Sequence, residues 1–233
     1  MNKLWTFGDS FIETQVDDNN WVNEIATNLN YESKSFGVAG SSLEFMYYNV
    51  DRRFKEFNKD DVVILALTQL SRYWLFKDRP TLGNLHSIGK EYSVGSSEQR
   101  FAERYFVDHH NESLSAVHLK NFLTTLDVNT QHMKIKPIIF FCFPDVEQVA
   151  NSLELGLNMV PGNLYQDVDR AEIRKEFLRP TGLYVDKRPN HMTPENHEIL
   201  SNKVVDFIQN DVKITLSGFL KEQVYIHNGS ITQ

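Results

Sequence analysis

Val62-Val63-Ile64-Leu65-Ala66-Leu67 is an unbroken apolar run. A strand carries side chains on both faces, so such a run has to be covered on both sides. Parallel strands buried between two layers of helices have that requirement. Ile138-Ile139-Phe140-Phe141-Cys142-Phe143 is a second run of the same kind. Upstream, Lys3–Phe7 and Tyr31–Phe36 read as strands. Between them Asn20–Leu29 reads as a helix, with Trp21, Ile25 and Leu29 spaced four apart on one face. Leu43–Phe57 patterns as a second helix containing the basic pair Arg52-Arg53. Met192–Gln209 patterns as a final helix, with Thr193 as N-cap, Pro194 as its first residue and Glu195 in its first turn. The alternation of strands and helices predicts a three-layer α/β/α sandwich with a mostly parallel sheet.

The 233 residues suffice for one domain with a sizeable core. Residues 1–210 are read as that domain and 211–233 as a C-terminal tail. Between the two apolar strands lies the long segment Ser71–Lys136. Leu114–Met133 patterns as a helix. The earlier part, with Gly83, Gly89, Gly95 and Ser96-Ser97, is mixed. It reads as a lid or an insertion, at about 73–112, over the carboxyl edge of the sheet. The alternating tail Val212–Ile231 could add a strand to a neighbouring copy, so a homo-oligomer is one expectation.

The formal net charge of −7 argues against a nucleic-acid partner, which calls for a basic field to displace counterions from phosphates. The single cysteine, Cys142, excludes an internal disulfide and, in its apolar run, reads as a buried structural thiol. No apolar run approaches a membrane span of about 18 residues. Met1-Asn2-Lys3-Leu4-Trp5 lacks the apolar stretch of a signal peptide, which predicts a cytoplasmic protein. Carriage in a virion or release by lysis is compatible with that reading.

Three stretches sit where ligands bind in such folds, beyond the carboxyl ends of strands. Gly8-Asp9-Ser10 follows the first strand, where Gly8 permits a tight turn and backbone N–H groups face the cleft. As composition alone it is an ordinary turn. Gly37-Val38-Ala39-Gly40-Ser41-Ser42 follows the second strand. It reads as a glycine-assisted approach of N–H groups to a ligand, as a strand-to-helix turn with Ser41 or Ser42 as N-cap, or as both. His191 lies just before the final helix, with Asp186 the nearest acid upstream. A serine hydroxyl needs a base to take its proton, and the base needs a carboxylate to hold its tautomer.

Phe7-Gly8-Asp9-Ser10-Phe11, Gly37-Val38-Ala39-Gly40 and His191-Met192-Thr193-Pro194-Glu195, in that order on an α/β pattern, resemble the three corresponding blocks of the SGNH (GDSL-type) hydrolases. The resemblance spans Phe7 to about Val205 and implies a flavodoxin-like sandwich. It implies Ser10 as nucleophile, His191 as base and Asp186 as acid, with the N–H groups of Ser10 and Gly40 in the oxyanion hole. The activity it implies is ester hydrolysis through an acyl-enzyme, on acyl esters or O-acetylated carbohydrates, with no metal and no cofactor. There are two departures. The family's Gly-x-Asn-Asp block is represented by Leu67-Thr68-Gln69-Leu70-Ser71-Arg72, which has no asparagine, so Thr68, Gln69, Ser71 or Arg72 would supply the side-chain donor. The family's acid falls three residues before the histidine, where Arg188 stands, whereas Asp186 is five before. These departures leave open a second reading, an SGNH-type protein that binds or builds without efficient chemistry, and a third, an acyltransferase using the same serine. The aromatic stretch Tyr73-Trp74-Leu75-Phe76 reads as a sugar-binding wall, as core or as lid. His109, His110 and His118 lack the spacing of a metal site.

Overall fold

The computed structural model describes residues 1–14, 20–74, 94–109, 111–168, 171–174, 192–220, 222–227 and 230–231. His191 and Asp186 lie outside the described residues, as does most of the first half of the expected insertion. The central sheet has five strands: β1 (Lys3–Gly8), β2 (Glu32–Gly37), β3 (Val62–Leu67), β4 (Ile138–Phe141) and β5 (Asn158–Asn163). All pair in parallel, in the order β2-β1-β3-β4-β5. This is the flavodoxin-like order, in which the chain reverses direction across the sheet between β1 and β3 and leaves a crevice beyond their carboxyl ends.

The reason for the order is legible in the strands. Every residue of β3 and β4 is buried, as two covered faces demand. β2 begins with two exposed residues and carries the Glu32–Lys34 ion pair, which suits an edge strand that has to resist pairing with another chain. On one face Trp5 and Phe7 pack against Phe36 and Phe57. Trp21 packs edge-on against Phe140. Each such buried side chain contributes roughly 1.5–3 kcal/mol relative to exposure.

Helix α1 (Trp21–Leu29) starts at the Asn20 cap, whose side chain accepts from Val22 N–H, and ends at Asn30 in the left-handed region. It packs against the C-terminal helix α6 (Pro194–Asn210). Thr193 caps α6 by accepting from Asn196 N–H, and Pro194 is its first residue, as the sequence predicts. Right-handed crossovers put α2 (Leu43–Arg53), α4 (Glu112–Met133) and α5 (Pro144–Ala150) on the opposite face. Tyr47 of α2 stacks on Phe122 of α4 at 4.1 Å between ring centroids.

The structure corrects several expected boundaries. The second helix stops at Arg53 and continues as a 3₁₀ turn, Phe54–Glu56. Within the expected insertion, Ser97–His109 is a helix, α3. The sequence reading omitted α5, β5 and a short strand β6 (Ala171–Arg174). The tail holds β7 (Glu222–His227) and β8 (Ser230–Ile231). These pair within the chain, β6 parallel to β7 and β7 antiparallel to β8.

Candidate active site

Three turns leave the carboxyl ends of β1, β2 and β3, and the second and third are bonded to Gly8 and Asp9, the two residues that lead into Ser10. The first needs Gly8, because a Cβ there would lie 2.5 Å from the carbonyl oxygen of Ala66 on β3. The turn closes with Ile12 N–H donating to Asp9 C=O at 3.1 Å and leaves Ser10 7% exposed. The second turn is tied to the first. Val38 N–H and Ser41 Oγ both donate to Gly8 C=O, at 3.2 and 2.8 Å. Gly40 adopts φ 72°, a left-handed conformation natural to glycine. Ser42, not Ser41, caps α2, accepting from Phe45 N–H at 3.3 Å.

The third turn carries Thr68, Gln69, Ser71 and Arg72. Thr68 Oγ1 and Arg72 Nη1 both donate to Asp9 Oδ2, each at 2.8 Å. Arg72 Nε donates to Gln69 Oε1 at 3.3 Å, and its guanidinium lies over the Phe143 ring at 5.1 Å. Leu70 N–H donates to Asp145 Oδ2 at 2.9 Å, which ties the turn to the first turn of α5.

Asp9 joins the first and third turns. Its side chain is fully buried, and an isolated carboxylate there would be costly. Oδ1 accepts from Phe11 N–H at 3.1 Å and from Cys142 Sγ–H at 3.5 Å, while Oδ2 takes Thr68 and Arg72. The ion pair with Arg72 compensates the buried charge. Cys142 is fully buried, and its thiol is pushed well above its usual range, first by burial and then by the Asp9 charge. That environment keeps it protonated and unreactive.

The structure thus brings Ser10, Gly40, Thr68, Gln69 and Arg72 to one edge. Sequence reading missed Asp9 as the hub, Asp145 as the tether and His197. His197 is buried, and its Nδ1 accepts from Trp21 N–H at 3.3 Å, joining α6 to the start of α1. Pro144 followed by Asp145 is a legible helix start that would have flagged α5.

Behind the second turn, Glu44 Oε2 and the Tyr47 hydroxyl are buried without a hydrogen-bond partner among the described residues. Burial raises the Glu44 carboxyl above its ordinary value. Burial, reinforced by Glu44, raises the Tyr47 hydroxyl well above its own. Trp74 packs edge-on against Phe45 at 5.3 Å, which places this part of the aromatic stretch on α2. Among the described residues no group of three or more His, Cys, Asp or Glu side chains could hold a metal ion. No described helix is long and apolar enough to cross a membrane.

No protein-family model and no curated protein matches this sequence. Solved structures do. A lipolytic protein of the G-D-S-L family from Veillonella parvula DSM 2008 is similar over 90% of this chain and 100% of its own, at 12% identity and a TM-score of 0.48. A G-D-S-L family protein from Desulfitobacterium hafniense DCB-2 is similar over 87% of this chain and 97% of its own, at 10% identity and a TM-score of 0.47. The acetyl xylan esterase Est2A from Butyrivibrio proteoclasticus is similar over 90% of this chain and 64% of its own, at 13% identity and a TM-score of 0.45.

Proposed function

We propose that this protein is a serine esterase that cleaves an acyl ester or an O-acetylated carbohydrate through an acyl-enzyme. The observation that carries the reading is that the turns after β2 and β3 are bonded to Gly8 and Asp9, immediately before Ser10, at the carboxyl ends of the neighbouring strands β1 and β3. In this reading His191 takes the Ser10 proton, Ser10 Oγ attacks the ester carbonyl, and Asp186 holds the imidazole. The N–H groups of Ser10 and Gly40 receive the negative charge that develops on the carbonyl oxygen. The alcohol leaves with the proton from His191. Water, activated by the same histidine, then releases the acid and restores Ser10. No cofactor is required.

Because Thr68 Oγ1 gives its one hydroxyl hydrogen to Asp9, the third oxyanion donor in this reading comes from Gln69, Ser71 or an Arg72 N–H that neither Asp9 nor Gln69 takes. Losing one such donor costs about 10²–10³ in turnover. That engagement also favours the second reading, a protein that keeps the fold and binds an ester or glycan without turning it over. Hydrolysis of p-nitrophenyl acetate by wild type, Ser10→Ala and His191→Ala separates the two. The esterase reading expects turnover that both folded variants lose. Turnover that survives Ser10→Ala would remove Ser10 as the nucleophile, and wild-type inactivity on acetyl esters and acetylated xylans alike would favour the binding reading.

A further inference from the structure

We propose that Arg72 is a positioning residue for Ser10, acting through Asp9, and that the Arg72–Asp9 pair does the organising work at the chain's departure from the asparagine-bearing block. The inference rests on the reading of Ser10 as nucleophile. Arg72 touches the residue before Ser10 directly and the residue after it through an intervening ring. Its Nη1 holds Asp9 Oδ2 at 2.8 Å, and its guanidinium lies 5.1 Å over Phe143, whose ring meets Phe11 edge-on at 6.2 Å. Asp9 in turn fixes the turn that follows, accepting from Phe11 N–H through Oδ1. The pair spans the crevice, since Asp9 follows β1 and Arg72 belongs to the turn after β3.

A planar guanidinium suits this place for two reasons. It can donate to a carboxylate while it stacks on an aromatic ring, which an ammonium does less well. It also neutralises a buried carboxylate one residue from the nucleophile. Without it, the Asp9 charge would oppose the negative charge that must build up beside Ser10 during attack. Arg72 is therefore assigned to holding Asp9 rather than to binding the oxyanion.

The test compares Arg72→Met, Arg72→Lys and the double variant Asp9→Asn/Arg72→Met with wild type, all well below their thermal midpoints. It reads the rate at which a fluorophosphonate labels Ser10 and the exchange rate of the Phe11 amide. Arg72→Met is expected to slow labelling by about 10²-fold, the size of effect that a displacement of about 1 Å produces. It should also speed Phe11 exchange. Arg72→Lys should fall between Arg72→Met and wild type. Adding Asp9→Asn should recover part of the lost labelling, because a neutral side chain has no charge left to compensate. If Arg72→Met fails to fold, Arg72→Lys and the double variant carry the same comparison.

A merely structural arginine would lower the thermal midpoint while labelling and Phe11 exchange of the folded protein stay at wild-type rates. That result would overturn the inference. If wild type itself does not label, the esterase reading fails and exchange alone decides. Faster Phe11 exchange in Arg72→Met, reversed by Asp9→Asn, would uphold the clamp, and unchanged exchange would overturn it.

Discussion

Asp61 shows how one carboxylate can fix a strand. It is buried at the start of β3, where Oδ1 accepts from Lys3 N–H at 2.9 Å and Oδ2 accepts from the indole N–H of Trp5 at 2.9 Å and from Asn58 N–H at 3.0 Å. Burial alone would raise its carboxyl, but the hydrogen bonds from Trp5, Lys3 and Asn58 outweigh it and hold the group below its ordinary value. The depressed value in the folded state means that the carboxylate's stabilisation is present above about pH 4 and is lost as pH falls further. Asp61→Ala should therefore cost about 2 kcal/mol near neutrality, because it strands the buried Trp5 N–H and the Lys3 amide. Urea unfolding at several pH values checks this. The difference from wild type should shrink as pH drops below about 4. In the sequence Asp60-Asp61 reads only as the approach to a strand, since nothing local tells that one of two adjacent acids turns inward to meet a tryptophan from another strand.

At the scale of elements, the turn that carries Ser10 is seated on β2. A Cβ on Gly37 would lie 2.7 Å from both the carbonyl carbon and the oxygen of Ile12, so the chain after Ser10 passes directly over this glycine. Gly37→Ala has to push that backbone away. It should lower stability by about 1–3 kcal/mol, in the range of core overpacking, and slow Ser10 labelling even in protein that remains folded. Thermal melts alongside labelling kinetics check both effects, and wild-type values in both would contradict the seating of the turn. Elements with strong local signals were legible. β3 and β4 have apolar runs that demand cover on both faces, and α6 has its Thr193-Pro194-Glu195 start. The shorter elements were not. β5 reads Asn158-Met-Val-Pro-Gly-Asn163, where a proline and a glycine speak against a strand, and pairing with β4 overrides them. α5 has a start signal in Pro144-Asp145, but its seven residues are too few to display the helical period that would follow it.

For the whole molecule, the parallel order β2-β1-β3-β4-β5 decides which distant residues meet. Ser10, Gly40 and the Thr68–Arg72 turn were legible as candidates because each follows a strand. The linkage of the Ser10 turn to the Thr68–Arg72 turn through a single buried carboxylate was not, since it depends on β1 and β3 being neighbours. The same topology gives Cys142, at the end of β4, its contact with Asp9. The central claim is that this edge activates Ser10. Its most direct test is to treat the full chain with a fluorophosphonate and locate the adduct by peptide mass. The account predicts one adduct per chain, on the peptide containing Ser10, absent from Ser10→Ala and suppressed in His191→Ala. An adduct on any other residue, or undiminished labelling of Ser10→Ala, would contradict it.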